Sequence, residues 1–206
     1  KDTDVDGCKP SDNFLIDRIA DVPPSMKLPA DWSSLSPSVE ESVSIPASAV
    51  DLRFVAYDKE TRVKLSRQYT APKFDWSKLD LQEVVRDLHD AILCARDILY
   101  AQVFAGLFSA SQTREWELNL SELVGILRGV PSLRSARLDQ ISAIFEKSPS
   151  LANLLLDKSF GEEVMKKQKA FRRILSLGIS VGTTMPTCLA AVTYLDSCRC
   201  GRLPGA

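Results

Sequence analysis

The side chains that carry most enzymatic chemistry are sparse in this sequence. His89 is the only histidine in 206 residues, so neither a histidine relay nor a multi-histidine metal site forms within the chain. Five cysteines stand at 8, 94, 188, 198 and 200. Their number is odd, and no pair has the Cys-x-x-Cys spacing that structural zinc prefers. Cys198 and Cys200, one residue apart, are too close for an ordinary zinc knuckle. All five read as reduced thiols in an intracellular reducing compartment, cytoplasm or organelle matrix. What remains is cationic. Lys166, Lys167, Lys169, Arg172 and Arg173 make a basic helix face, which reads as a solvated surface, with anion binding as the alternative. His89 lies on a charge-rich helix and is assigned no role.

Composition sets further bounds. Lys and Arg number 26 against 27 Asp and Glu, a formal net charge of -1. That balance provides no global field for nucleic acid or an anionic membrane. No Gly-x-Gly-x-x-Gly follows a strand pattern, so no dinucleotide fingerprint is present and no cofactor is expected. No secretory signal is visible at Lys1-Asp-Thr-Asp4. The most apolar run, 91–108, is interrupted by Arg96 and Asp97. A membrane span needs about 20 uninterrupted apolar residues, so this run predicts a buried core helix in a soluble protein.

The elements that must position these residues are helical. Residues 1–74 form an uneven N-terminal part. Ser11-Asp12 precedes a short helix over 13–21, three prolines mark a loop at 22–32, and 33–45 is Ser-rich and weakly helical. Pro46 suits the first turn of the next helix, and 59–69 is a charged helix. Residues 75–206 form the helical core. Asp80 and Glu83 make a capping box, after which Val84, Val85, Leu88, Ile92, Ala95, Ile98, Leu99, Val103 and Leu107 recur at helical spacing. Asn119-Leu-Ser-Glu122 starts another helix, which Gly129 ends with φ > 0. Pro131 opens a helix through Lys147, which Ser148-Pro149 breaks. Residues 151–156 form a short apolar helix, Gly161 precedes a helix reaching Gly178, and Thr184-Met-Pro186 opens the last. No strand alternation or repeat appears. The fold class is all-α, a multi-helix domain with a long buried central helix.

From Ala95 to Pro204 the sequence resembles the C-terminal helical domain of 6-phosphogluconate dehydrogenase. The carriers are Tyr100-Ala-Gln102, Trp116-x-Leu-Asn119, Arg128-Gly129, Leu133-Arg-Ser135, Ser148-Pro-Ser-Leu-Ala-Asn-Leu-Leu-Leu-Asp157 and Phe171-Arg-Arg173. Gly178, Gly182, Met185-Pro186, Tyr194-x-Asp196 and Leu203-Pro204 complete the series. Each is weak alone; their order and spacing together are specific. Upstream, Lys1-Asp-Thr-Asp-Val-Asp-Gly7 with Lys9-Pro10 is similar to that family's Asp-Thr-Asp-x-Gly-Lys-Pro turn, and the stretch from Ile45-Pro46 to Phe54 to its following helix.

The resemblance implies an enzyme that oxidises and decarboxylates 6-phosphogluconate with NADP, the cofactor held by a separate Rossmann domain. The family's Lys-x-x-His-Asn-x-x-Glu acid–base segment lies upstream of the matched residues. Its Gly-Thr-Gly-Lys-Trp-Thr loop aligns with Leu28-Pro-Ala-Asp-Trp-Ser33. Trp32 is retained, Ser33 replaces the threonine, and Asp31 stands where the phosphate-binding lysine is expected. A carboxylate there repels an anionic substrate, and such like-charge contacts cost several kcal/mol once desolvated. Arg134 matches the family's phosphate-binding arginine and Arg128 another retained arginine. The family's tail, whose arginine and histidine complete a neighbouring subunit's pocket, would follow Ala206.

The resemblance thus implies a relic anion site at Arg134, with Arg128 and Arg137; an interhelical salt bridge is the alternative. Asp31, Trp32 and Ser33 form a degenerate loop, in which Trp32 reads equally as a packing anchor. The expected function is that of a non-catalytic structural or assembly subunit with protein partners, in a larger complex or a homodimer. The alternative is a fragment of an NADP-dependent 6-phosphogluconate dehydrogenase; a third possibility is a sugar-phosphate sensor using Arg134 without chemistry.

Overall fold

The computed structural model describes residues 40–131 and 133–203, with the Lys78 side chain excepted. The expected degenerate loop at Asp31, Trp32 and Ser33, the helix predicted over 13–21 and Cys8 lie outside the described residues. Seven α-helices follow one another among the described residues: α1 Ser44–Tyr57, α2 Lys59–Gln68, α3 Leu81–Thr113, α4 Leu120–Gly129, α5 Ala136–Lys147, α6 Lys158–Val181 and α7 Pro186–Cys198. Short 3-10 turns lie at Trp76–Lys78 and Leu154–Leu156. Among the described residues there is no strand, as the missing alternation predicts.

Helix α3 is the spine. Asp80 caps it as expected, its carboxylate accepting from the amides of Gln82 and Glu83 at 2.9 and 3.3 Å. Helix α6 packs along α3, α7 crosses it, α1 lies on α7, and α4 pairs with α5. One core unites them: Ile45 from α1, Cys94, Ile98, Ala101 and Phe104 from α3, Leu138 and Phe145 from α5, Val164 and Phe171 from α6, and Leu195 from α7. By length and hydropathy α3 would pass as a membrane span. It nevertheless buries Asp97 completely, and an ion pair rather than lipid surrounds that carboxylate. The C-terminal half of α3 is enclosed, whereas its first three turns leave Leu81, Val85, Leu88 and Ile92 exposed.

Several boundaries differ from those the sequence predicts. The stretch before α1 is not helical at 41–43; the helix starts at Ser44, with Pro46 in its first turn as expected. Helix α4 runs through Gly129 without a left-handed residue, and its cap is Val130. Helix α5 begins at Ala136, not Pro131, because the Ser135 hydroxyl accepts from the Arg137 amide at 3.2 Å while residues 130–134 close a turn on the Val130 carbonyl. Helix α6 starts before Gly161, at Lys158, where Asp157 caps the Phe160 amide at 2.8 Å. The predicted 151–156 helix shrinks to a single 3-10 turn.

Two of the family-like motifs have packing explanations. Gly182 closes α6 with φ 74°, and a Cβ there would meet Pro72 at 2.8 Å. A Cβ on Gly178 would meet the Met185 methyl at 1.8 Å, so the α6–α7 corner closes only over glycine or after Met185 moves. Helix α1 has no cap of its own. Gln102 of α3 supplies one across 57 positions: its Oε1 accepts from the Ile45 amide at 2.9 Å, and its Nε2 donates to the Ser42 and Ser44 hydroxyls.

Candidate functional site

Arginines gather where the 130–135 turn meets α3. Arg134 sits in the turn itself, exposed, its Nε donating to the Arg128 carbonyl at 3.3 Å. The Leu133 and Arg134 amides both donate to the Val130 carbonyl at 3.0 Å, which fixes the turn. Arg128, near the end of α4, is also exposed and pairs with Asp139 at 2.9 Å. Ser135 caps α5, and its hydroxyl receives the Arg96 guanidinium at 3.4 Å. Arg96 enters the sequence reading only as an interruption of the apolar run. Its place beside Ser135 depends on a contact 39 positions long, which no local pattern reveals.

Arg137 does not join Arg134. It is 6% exposed and turned into the core, where its guanidinium makes contacts of 3.1 and 3.0 Å to the two oxygens of Asp97 and 2.8 Å to Glu163. The same group donates to Gln140 at 2.5 Å and lies 4.4 Å from the Phe160 ring centre. Asp97 in turn meets Arg96 at 3.2 Å and Lys167 at 3.9 Å. Desolvating two charges is costly; here Arg137 Nη2 and Asp97 Oδ2 face each other as an ion pair at 3.0 Å, and neither atom makes a hydrogen bond among the described residues. The expected anion site therefore loses Arg137 to a buried interhelical network. Among the described residues Arg134 is the one of the three expected arginines with no carboxylate partner, and Arg96 reaches Ser135 at the N-terminus of α5 next to it. Five cations (Arg96, Arg128, Arg134, Arg137 and Lys167) face three carboxylates (Asp97, Asp139 and Glu163) here. A surplus of positive charge beside a helix N-terminus suits an anion.

Of the five cations expected on the basic face of α6, three are paired with carboxylates among the described residues, while Lys166 and Lys169 are exposed. Arg173 makes a two-pronged pair with Asp87 of α3 at 2.5 Å on each arm, and this holds the Asp87 carboxyl below its ordinary value. Arg172 pairs with Asp196 of α7, and Lys167 belongs to the Asp97 network. His89 is exposed, 3.3 Å from Asp90. Among the described residues no cluster of three or more His, Cys, Asp or Glu could hold a metal. Burial pushes the Cys94 thiol up to about 12, which makes it a packing group rather than a nucleophile.

Among the described residues six helices accompany the long central α3, and this arrangement defines an all-helical domain class. The family description "6-phosphogluconate dehydrogenase, C-terminal domain" matches residues 3–206, and the chain belongs to that family. The spinach (Spinacia oleracea) "6-phosphogluconate dehydrogenase, decarboxylating 1" is 31% identical over 199 residues, covering 94% of this chain and 41% of the relative. The Bacillus subtilis "6-phosphogluconate dehydrogenase, NADP(+)-dependent, decarboxylating" is 33% identical over 175 residues, covering 84% and 37%. Plasmodium falciparum 6-phosphogluconate dehydrogenase, solved in apo form and with NADP+ or 6-phosphogluconate, superposes with a TM-score of 0.81 at 26% identity, covering 94% of this chain and 42% of that one. The chain thus spans about two fifths of the length of these relatives.

Proposed function

We propose that this chain is a non-catalytic member of its family, acting in a reducing compartment as a structural or assembly subunit that binds protein partners. The observation that carries this reading is the apolar stripe on α3. Leu81, Val85, Leu88 and Ile92 recur every three or four residues and are 65, 65, 44 and 59% exposed. Large aliphatics in one contiguous row mark a surface that another chain covers, either a second copy or a different subunit. Asp31 supports the same reading, since it opposes a phosphate where the family's lysine would attract one. The four described cysteines are free, in keeping with a reducing compartment. In this reading neither NADP nor nucleic acid has a role.

The test is made on the native assembly. Sedimentation is expected to show a particle well above the 22.8 kDa of one chain, and Leu88→Glu with Ile92→Glu is expected to release it. Steady NADPH production on adding NADP and 6-phosphogluconate would overturn the non-catalytic reading.

The second reading is a fragment of a decarboxylating, NADP-dependent 6-phosphogluconate dehydrogenase, and Arg134 favours it. Its guanidinium is exposed and, among the described residues, without a carboxylate partner, beside the start of α5, as a phosphate ligand requires. A rise in melting temperature with 6-phosphogluconate, abolished by Arg134→Ala, would show that the anion site is intact. Absence of any shift would remove this reading and the sensor reading together.

A further inference from the structure

A groove of about 830 Å³ lies between the first turns of α6, the Leu154–Leu156 turn and the end of α7. It shares no residue with the arginine cluster. Its walls are apolar: Leu155, Leu156, Met165 and Leu195, of which Leu156 is 71% and Met165 38% exposed. The size falls within the range of small-molecule sites.

The rim carries charge in a definite arrangement. Lys158, Glu162 and Lys166 follow one another at one-turn spacing along α6 and face Arg199 of α7. Neither lysine has an ion-pair partner among the described residues. Arg199 and Arg172 share one carboxylate, that of Asp196. Asp157 also lines the groove, but its carboxylate is engaged as the cap of the Phe160 amide. The lining thus carries three cations, Lys158, Lys166 and Arg199, against the carboxylates of Asp157 and Glu162, and among the described residues Glu162 has no partner of its own. The N-terminus of α6 adds its partial positive charge at the same edge. Asn153, which lines the groove, donates to the Tyr194 hydroxyl at 2.9 Å.

We propose that this groove binds a small organic anion with an apolar body, of the chemistry of a medium-chain carboxylate. The chain lies on Leu155, Leu156, Met165 and Leu195, and the head group is drawn to the rim by Lys158 and Lys166, to the side of Glu162. An apolar floor alone would accept a neutral ligand equally well. The unpaired lysines decide for the anion, and Glu162 between them disfavours a dianion. The site is independent of the partner-binding reading and stands or falls separately.

Decanoate is the probe, titrated calorimetrically into the intact protein at low salt, with 1-decanol as the uncharged control. The expected result is one decanoate per chain, weakened about tenfold by Lys158→Glu with Lys166→Glu, and weakened by Leu156→Ser. Both changes are at exposed positions and leave the core untouched. Cys198 lines the groove and Cys200 does not, so bound decanoate should slow iodoacetamide alkylation of Cys198 while Cys200 reacts as before. Any of three results overturns the proposal: no saturable binding, equal affinity for decanol, or binding that survives both sets of variants with Cys198 unprotected.

Discussion

Asp97 collects most of the buried charge. It is wholly enclosed, and Arg137, Arg96 and Lys167 converge on it from three directions. Asp97→Asn keeps the shape but leaves the Arg137 guanidinium with Glu163 as its remaining carboxylate, and should cost up to about 3–5 kcal/mol in urea unfolding. Asp97→Leu with Arg137→Met removes both charges and should recover most of that loss. Asp87 gives a pH signature. Its pKa is lowered chiefly by the hydrogen bonds from Arg173, so its contribution is complete above the ordinary value of 3.8 and is lost as pH falls through the depressed one. Melting temperatures between pH 5 and pH 2 should therefore fall less steeply in Asp87→Asn than in the parent. Thiol titration of the native protein should count Cys198 and Cys200 but miss Cys94, which appears only on denaturation. At this scale the sequence is a partial guide. Arg134 and Arg137 look like one cluster when three positions apart. The acids that claim Arg137 stand 40 and 26 positions away, and only folding reveals which arginine they take.

Caps decide the elements. Asp80 and Asn119 were legible because each precedes an apolar periodic run with a glutamate three positions on, and both cap as expected. Ser135 and Asp157 carry the same chemistry, yet Pro131 and Gly161 offer louder signals nearby and draw the predicted boundaries off by three to five residues. Proline and glycine report what the backbone tolerates; the hydroxyl and carboxylate report which amide is satisfied, and that settles the start. The turn between α3 and α4 shows the reverse case. Glu115 and Glu117 take φ of 54° and 49° around Trp116, whose ring lies 5.2 Å from the Arg114 guanidinium. Non-glycine residues held there cost about 1 kcal/mol or more each. Glu117→Gly should thus raise stability by about 0.5–1 kcal/mol in thermal denaturation, leaving the α4 cap at Asn119 intact.

Over the whole molecule, the all-helical fold was legible from periodicity, and the family from a long series of short motifs. Which faces stay uncovered was not. Val85, Leu88 and Ile92 belong to the same apolar period as the buried Ile98, because hydrophobic spacing records a demand for cover without recording who provides it. One feature of the assembled fold has a temporal meaning. Helix α1 begins only where the Gln102 amide, carried by α3, reaches the Ile45 N–H. It is a tenant of the spine and not a founder. Gln102→Ala would leave that amide buried and unanswered at about 1–3 kcal/mol, and hydrogen exchange in 44–57 should accelerate well before α3 or α6 loosens. Proteases would then find their first foothold at the N-terminal edge, with α7's outer wall laid bare behind it.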